Sequence, residues 1–478
     1  MHYALCILKT ASGLKRSPML KILTLIKQLP DGDINPFDAC ALEEALRIPD
    51  AEVTVLSMGR PACRELLLRL SRLGTKRNIL LTDSALAGSD TLCTAYALSQ
   101  CVKKLSPDLV FCGRQSIDGD TAQVGSEISV MCNLSLVTNV LKLEVSGNSV
   151  CCETRFGTEK ADFPALLTVE RINTLRFPRL TAKKGEVEEW KCEDADIDKT
   201  KVGLRNSPTK VLKTFESTVG RRHCKFVDKS EFLKLIEENK NREKISVNVS
   251  ESSVKLPEVW CIGEKTLEKA KTVAENVRVI NSTDVSEIAE MAKKEKPSVI
   301  LWDSGLWGRR YAPQVAAMLE TGLCADCTAL ETDGKKLYMY RPAFAGSIMA
   351  KIECRTMPQM ATVRTTEKTC DNVIVGAGLG CANILDKVRG FAAENGYGFA
   401  ASRMIVDKSM ADYSDQVGLT GKVVSPNLYI ALGISGAVQH TCAIEQSGVI
   451  IAVNSDINAK IFDYADYGIV CNVEDLFS

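Results

Sequence analysis

The amino-acid sequence predicts an α/β protein whose sheets are mostly parallel and covered by helices, and three observations lead to this prediction. Apolar strand-like runs alternate with helical patterns along most of the chain, which is typical of βαβ units. The pattern around Pro107 returns about 190 residues later around Pro297, which indicates two related halves that have been fused. Glycine-rich loops follow several strand-like runs in the last third, where ligands of open α/β sheets bind.

The alternation can be followed in three stretches of the chain. The first contains EVTVLSM, RELLLRLSRL, NILLTD, TAYALSQCVKKL and DLVFCG. The second contains VWCIGE, EIAEMAKKEK, SVILWDSG and APQVAAMLE, and the third runs from NVIVGAGLG to IIAVNSD. In both copies of the repeat a helix ends in two lysines, a proline breaks it, a buried strand follows, and a loop opens a second helix.

Two changes in composition predict where the domains meet. Residues 238–258 are polar and carry few large apolar side chains, and a weaker break lies at 362–372. The predicted parts are therefore 1–245, 246–365 and 366–478.

Composition narrows the function classes. Hydrophobic residues make up 45% of the 478 residues, and Lys plus Arg equals Asp plus Glu at 60 each, which gives no general attraction to nucleic acid. No apolar run reaches the roughly 18 to 20 residues that span a bilayer, and the N-terminus lacks a secretory signal pattern. The 19 cysteines are scattered, and only Cys324 and Cys327 form a C-x-x-C. We therefore expect no metal, cluster or structural disulfide, and a cytoplasmic location.

The loop after DLVFCG is the first candidate binding site. Its residues can free backbone amides and supply a helix-capping side chain, which suits a ribose or a phosphate. An ordinary acidic N-cap without a ligand explains the same residues equally well, and the sequence leaves both open. The residues concerned are Asp118, Gly119, Asp120 and Thr121.

The C-terminal third supplies four loops that carry small residues and hydrogen-bonding groups. Four such loops in series predict a large dinucleotide-like ligand lying across several strand ends, with its pyrophosphate at a helix N-terminus. These loops contain Arg403, Thr420 between Gly418 and Gly421, the stretch GISGAVQH from Gly433 to His440, and Asn454.

The same GISGAVQH stretch also invites comparison with a hydrolase. A nucleophile elbow needs G-x-S-x-G, but Ala437 occupies the last position. His440 lies five residues after Ser435, and no acidic partner for a triad is evident. Hydrolysis is therefore disfavoured. A buried or helix-capping histidine remains the alternative to a cofactor contact, which the adjacent glycine-rich loop favours.

These motifs resemble the electron-transfer flavoproteins. The series ASR, QVGLTGK, LYIALGISGAVQH, IIAVNSD and IFDYADYGIV is similar to the FAD-binding domain of the alpha subunit, and RPAFAGSIMA through PQMATVR to its first domain. The series INPFDACALEEALRI, AGSDTLCTAYAL, CGRQSIDGDTAQVG and VGLRNSPTKV resembles the beta subunit. The resemblance implies a beta–alpha fusion with two Rossmann-like, adenine-nucleotide-hydrolase-like domains and a C-terminal doubly wound FAD-binding domain.

The resemblance also implies a role for each matching residue. Arg403, Thr420 and His440 would act on the flavin ring, with His440 as a cationic or donating imidazole beside the pyrimidine carbonyl. The implied FAD contacts are Ser402, Arg403, Gln416, Val417, Gly418, Thr420, Gly433, Ile434, Ser435, Gly436, Ala437, Gln439, His440, Asn454 and Asp456. The implied contacts of a second nucleotide are Asn35, Asp38, Asp90, Thr91, Asp118, Gly119, Asp120, Thr121, Ala122 and Gln123.

The second nucleotide of this family is AMP or a second FAD. AGSDT resembles electron-bifurcating members, so the interpretation favours two FAD, NADH oxidation, and delivery to ferredoxin or flavodoxin and to an acyl-CoA dehydrogenase-like flavoenzyme. A simple carrier with one FAD and one AMP is the alternative, and a non-redox nucleotide-binding protein a remote one. Whether the chain is an oxidoreductase depends on this choice, and the oligomeric state beyond the fused pseudo-heterodimer stays open.

The chain departs from the family pattern at identifiable positions. Leu379 stands where the family usually has arginine in G-G-R-G, which removes a cationic contact. Asn472 stands where the family has aspartate after YGIV. The loop LRFPRLTAKKGEVEEW is about four residues shorter than the family's partner-docking segment, and the first alpha-like domain lacks its usual opening strands.

Overall fold

A computed structural model describes residues 19–216, 222–241, 254–343, 348–365, 372–408, 410–418 and 421–477. The chain divides into two compact units. The first comprises residues up to 117 together with 121–207, and the second comprises 118–120 together with 208–478.

The first unit is built on a mostly parallel sheet. Its described strands are β1 Leu20–Leu25, β2 Ala51–Met58, β3 Arg77–Leu81, β4 Leu109–Gly113, β5 Ser135–Ser146, β6 Ser149–Thr154, β7 Gly157–Asp162, β8 Ala165–Val169 and β9 Glu188–Trp190. Its described helices are α1 Pro36–Arg47, α2 Cys63–Leu70, α3 Thr91–Leu105 and α4 Val124–Met131. The strand order is β7-β6-β5-β8-β4-β1-β2-β3-β9, and only the β5–β6 and β6–β7 pairs are antiparallel.

The central strand β4 shows how the sequence produces this layered arrangement. Leu109 and Phe111 point into one hydrophobic cluster, whereas Val110 and Cys112 point into the other. A strand buried on both faces reads as a continuous apolar run, and this is how DLVFCG reads.

The second unit contains three sheets. Its described strands are β10 Thr209–Glu216, β11 Lys225–Phe226, β12 Leu256–Ile262, β13 Ala274–Ile280, β14 Val299–Asp303, β15 Leu323–Cys327, β16 Ala329–Thr332, β17 Leu337–Ala343, β18 Ile348–Cys354, β19 Gln359–Val363, β20 Val373–Ala377, β21 Gly398–Ala401, β22 Leu428–Leu432, β23 Val449–Asn454 and β24 Tyr467–Val470. Its described helices are α5 Phe232–Asn239, α6 Leu267–Lys271, α7 Val285–Glu295, α8 Leu306–Met318, α9 Leu385–Glu394, α10 Arg403–Asp407 and α11 Val438–Thr441.

Two of the three sheets are parallel. The five-stranded sheet has the order β13-β12-β14-β19-β15, and the six-stranded sheet has the order β11-β24-β23-β22-β20-β21. The third sheet, β10-β18-β17-β16, is antiparallel. The predicted fold class, with parallel-sheet α/β domains, is confirmed, whereas the antiparallel sheet was not predicted.

Residues 208–241 contribute to the second unit, although the sequence prediction assigned them to the domain 1–245. Strand β10 pairs with β18 and strand β11 pairs with β24. Phe232, Leu235 and Ile236 of α5 pack into the same buried cluster as Val375 of β20. The contacts therefore divide the chain after Ser207, and the three-part division remains a prediction.

Candidate functional site

The carboxyl ends of the six-stranded sheet gather most of the residues predicted for the C-terminal site. All neighbouring strands of this sheet are parallel, so the loops after β20, β21, β22, β23 and β24 emerge at one edge. Hydrogen bonds join these loops. Asn454 Nδ2 donates to the carbonyl oxygen of Ile434 at 2.9 Å, and the amide of Gly380 donates to the carbonyl oxygen of Gly433 at 3.1 Å. The structure thus brings the glycine-rich loop and the AVNSD loop together.

Glycine is required at two places in the loop after β22. Gly433 and Gly436 have φ angles of 60° and 83°, which side chains rarely adopt. A Cβ on Gly436 would also lie 2.0 Å from the amide nitrogen of Ile461. The loop therefore packs backbone against backbone, and Ser435, Ala437 and Gln439 remain exposed at the edge, while Ile434 is buried. Helix α11 follows with a single turn, Val438–Thr441.

His440 lies on this turn and is buried. Its Nε2 and the hydroxyl of Tyr429 form a hydrogen bond of 2.9 Å, and Nδ1 makes no hydrogen bond within the described part of the chain. Burial lowers the pKa of His440 to about 4, against an opposing effect of the Val417 backbone. The imidazole is therefore neutral at neutral pH, which favours the donating rather than the cationic form of the predicted role.

The ring-binding residues predicted from ASR and QVGLTGK lie beside the same edge. Ser402 precedes α10, where Arg403 Nε contacts the Asp407 carboxylate at 3.2 Å. The amide of Val417 donates to Ala401 at the end of β21, so Gln416 and Val417 are buried there. Gly418 has a φ of 150°, and a Cβ on it would lie 3.0 Å from the carbonyl oxygen of Gln439. The predicted Thr420 lies outside the described residues.

A cleft of about 780 Å³ lies at the other end of this edge, beyond β23 and β24. Its lining includes Ser455 and Ile457 of the AVNSD loop, which also carries the predicted adenosine contact Asp456. Asn472, one of the departures from the family pattern, lines it as well. Residues 226–229 form a further wall, and sequence reasoning missed this segment because no local pattern reveals that β11 pairs with β24.

The residues predicted for the N-terminal site lie in the first turns of α1 and α3 and on the loops that precede α1, α3 and α4. Asp38 is buried and accepts hydrogen bonds from the amides of Lys27 and Gly113, both at 2.8 Å. Burial raises the pKa of Asp38 to about 6 despite these bonds. The Nδ2 of the buried Asn35 donates to the carbonyl oxygen of Gln115 at 2.9 Å.

The AGSDT and DGDTAQVG motifs meet through side chains in the first unit. Asp90 caps α3 by accepting from the amide of Cys93 at 3.1 Å, and Thr91 Oγ1 donates to Gln123 Oε1 at 2.8 Å. Thr121, Ala122 and Gln123 belong to this unit, and Ala122 has a φ of 56°. Sequence reasoning missed Glu127, a carboxyl whose pKa is raised well above its usual value by burial and by Asp90.

Three other predicted residues of the DGDTAQVG loop belong to the other compact unit. Asp118, Gly119 and Asp120 cluster with the second unit, where the guanidinium of Arg341 donates to the carbonyl oxygen of Gly119 at 2.7 Å. These three residues are therefore grouped with the second unit, whereas Thr121, Ala122 and Gln123 are grouped with the first.

The described residues show neither a disulfide nor a cluster of side chains arranged to hold a metal ion. Across these residues no helix is both long and apolar enough to cross a membrane.

Strand-end loops and a glycine-rich turn at the edge of a parallel sheet are typical of nucleotide-binding α/β proteins. Comparison with known proteins gives the family. A profile described as "Electron transfer flavoprotein domain" matches residues 22–195 and 267–374, and one described as "Electron transfer flavoprotein FAD-binding domain" matches 369–445. The chain belongs to the electron transfer flavoprotein family, as the sequence motifs predicted.

Relatives of both subunits match this single chain. An electron transfer flavoprotein subunit beta of Clostridium acetobutylicum is 41% identical over 203 residues, which is 40% of this chain and 78% of the relative. A subunit alpha of Thermoanaerobacterium thermosaccharolyticum is 38% identical over 229 residues, covering 38% and 69%. A protein named FixA of Sinorhizobium fredii is 39% identical over 239 residues, covering 46% and 84%. These matches are consistent with a beta–alpha fusion that carries electrons and binds FAD.

Proposed function

We propose that this chain carries electrons between separate redox proteins through FAD held at the carboxyl edge of the six-stranded sheet, with a second nucleotide in the first unit. The observation that carries the proposal is the pairing of the glycine turn 433–436 with the buried His440, whose Nδ1 has no partner within the described residues. FAD supplies reversible one- and two-electron chemistry when it is bound.

The residues at this edge fit FAD. The turn 433–436 presents backbone at the strand ends, which suits the pyrophosphate, and Ser435 is exposed beside it. Nδ1 of His440 would offer a hydrogen bond to a ring carbonyl. The cleft beyond β23 and β24 has apolar walls, including Phe226 and Ile457, and polar groups such as Asn472, as an adenosine requires. The chain's own residues would thus bind, orient and shield the cofactor.

The proposal includes a second FAD rather than AMP in the first unit. It is supported by the AGSDT motif, whose Asp90 caps α3 while Thr91 bonds Gln123 of the DGDTAQVG motif. With two FAD the protein would take two electrons from NADH. It would deliver one to ferredoxin or flavodoxin and the other to an acyl-CoA dehydrogenase-like flavoenzyme. We place this activity in the cytoplasm.

The docking surface proposed for the flavoenzyme lies between β8 and β9. Phe177 and Leu180 are 92% and 100% exposed there, which is unusual for large apolar side chains. They are accompanied by the exposed basic residues Arg179, Lys183 and Lys184. An exposed apolar pair with a basic rim is typical of a transient interface.

The substitution Leu180→Ala tests this surface. We expect the rate of electron delivery to an acyl-CoA dehydrogenase to fall at least tenfold, because an anchoring side chain of an interface is lost. Leu233→Ala is the matched control, since Leu233 is 63% exposed on α5 of the second unit and is not part of this segment. Equal rates for the two variants in stopped-flow reduction would contradict the proposed surface.

The decisive experiment counts the nucleotides released from the denatured protein after purification with FAD supplied. Two FAD per chain would support the proposal, and NADH-dependent reduction of ferredoxin would then be assayed. One FAD with one AMP would show a simple carrier and overturn the bifurcating part. A chain that releases no FAD would overturn the redox function itself.

A further inference from the structure

Tyr429 and His440 form a buried polar pair inside the FAD-binding part of the second unit, where the Val417 backbone also acts on His440. The Tyr429 hydroxyl lies 2.9 Å from Nε2 of His440, and the two side chains are 0% and 6% exposed. The space for the hydroxyl comes from the neighbouring strand, because a Cβ on Gly376 would lie 2.0 Å from it. The hydroxyl is therefore held in one place, next to one acceptor.

The protonation of the pair follows from its surroundings. Burial raises the pKa of Tyr429 and lowers the pKa of His440 to about 4, so both groups are neutral near pH 7. A neutral imidazole carries one N–H, on either Nδ1 or Nε2. The question is which nitrogen carries it.

Counting buried polar groups answers this question. If Nε2–H donated to Tyr429, both the phenolic hydrogen and the bare Nδ1 would lack partners among the described residues. If Tyr429 donates to Nε2, the phenolic hydrogen and Nε2 are both satisfied, and only Nδ1–H lacks a partner among the described residues. The second arrangement leaves fewer buried groups unsatisfied, and is therefore favoured.

We propose that Tyr429 is a positioning residue: its hydroxyl donates to Nε2 of His440 and fixes the tautomer in which Nδ1 carries the proton. The imidazole would then offer a neutral hydrogen-bond donor, held in place by Tyr429, to a carbonyl of a bound flavin. This inference rests on the proposed FAD site. The role assigned to Tyr429 could not be inferred from the sequence, where Tyr429 is one residue of an apolar strand.

Nitrogen NMR tests the tautomer directly. The chain has three histidines, His2, His223 and His440, so a sample labelled with 15N-histidine gives few signals, and His440→Gln identifies those of His440. We expect His440 in the protein without flavin to show a protonated Nδ1 and a bare Nε2 at pH 7. A protonated Nε2 in the wild type would overturn the inference, whatever any variant does.

Tyr429→Phe removes the hydroxyl and keeps the ring. We expect the proton to move to Nε2, the tautomer that free imidazole side chains prefer, and the Kd for FAD to rise on the order of tenfold because the aimed donor is lost. Tyr467→Phe is the control, because Tyr467 lies on β24, whereas the hydrogen bond and the ring contact of His440 are made with Tyr429. An unchanged tautomer in Tyr429→Phe would overturn the proposed role.

A flavin titration separates this inference from the proposed function. If wild-type apoprotein binds FAD and its Nδ1 signal shifts on binding, both stand. If it binds FAD and the Nδ1 signal does not move, the donor role fails while the electron-carrier function survives. Failure to bind FAD at all would overturn the proposed function, and with it the donor role.

Discussion

The two copies of the repeat differ most in the loop that follows their central strand. In the first copy α3 ends at Ser106, whose backbone is in the left-handed conformation. Strand β4 follows, and residues 114–123 connect it to α4. In the second copy α7 ends at Lys296, whose backbone is also in the left-handed conformation. Strand β14 follows, and only Ser304 and Gly305 separate it from α8. The order of helix, strand and second helix is the same in both copies, and this loop is longer in the copy where the second nucleotide is predicted. Such a difference is expected when a scaffold is kept and a site is added to it.

The buried charge at the end of a matching strand is reversed between the copies. Glu170 follows β8, and although burial would raise its pKa, Arg114 and Arg155 hold that pKa at about 2. Arg364 follows β19, and its Nε donates to the Asp326 carboxylate at 3.1 Å. The residue after the matching strand is thus a buried anion in the first copy and a buried cation in the second, and each needs oppositely charged partners.

The largest effect is expected from making the first copy resemble the second. Replacing residues 114–123 by Ser-Gly should abolish nucleotide binding in the first unit, at least 100-fold, because the predicted phosphate contacts are removed. The FAD released from the C-terminal third serves as an internal control. If nucleotide analysis still found two nucleotides per chain in this variant, the loop would not be the nucleotide site that distinguishes the two copies.

The next largest effect, a loss of unfolding free energy, is expected from removing the buried carboxylate of the first copy. Glu170→Gln leaves Arg114 and Arg155 without a buried counter-charge, which costs about 3 to 5 kcal/mol of unfolding free energy. Urea unfolding measures this loss. Glu153→Gln is the matched control: its partner Lys142 lies 2.9 Å away and both side chains are exposed, so a loss below about 1 kcal/mol is expected.

The mirror experiment is Asp326→Asn in the second copy. Asp326 is buried and contacts both Arg364 and Arg309, the latter at 3.4 Å. These guanidinium groups hold the pKa of Asp326 below its usual range, although burial opposes them. We expect a loss of about 3 kcal/mol in the same urea assay. A loss of unfolding free energy no larger than that of Glu153→Gln would show that this buried ion pair does not stabilise the fold.

The smallest effect is a pH dependence that belongs to the first copy. Asp38, at the start of α1, has a pKa raised from 3.8 to about 6, whereas the loop before α6 carries the uncharged Thr266. A raised folded-state pKa adds stability at low pH that is lost as pH rises through about 6. From pH 5 to pH 8 the wild type should lose about 1.4 kcal/mol relative to Asp38→Asn. Parallel pH profiles of the two proteins would refute this.

The sequence was sufficient for the parts of the fold that depend on local patterns. Strands β4, β14 and β22 are continuous apolar runs, and the parallel-sheet class followed from their alternation with helices. The glycine turn after β22 was located by its residues, since a positive φ at Gly433 and Gly436 selects glycine.

The remaining features depend on contacts between distant residues. The pairing of β11 with β24 joins residues more than 200 positions apart, so no periodicity reveals it, and the cleft wall 226–229 was missed with it. Tyr429 reads as an ordinary residue of a buried strand, and its bond to His440 appears only when α11 folds back over β22. Long-range pairing of this kind is set by packing rather than by local propensity.

The contribution of residues 208–241 to the second unit has a consequence for how the chain can be cut. Strand β10 pairs with β18, β11 pairs with β24, and α5 packs beside β20, while every one of these partners lies after residue 253. A polypeptide severed anywhere between 242 and 253 would therefore consist of two fragments that share two β-ladders and a hydrophobic core. Such fragments are suited to reassemble from separate genes, which makes this molecule a natural candidate for split-protein complementation.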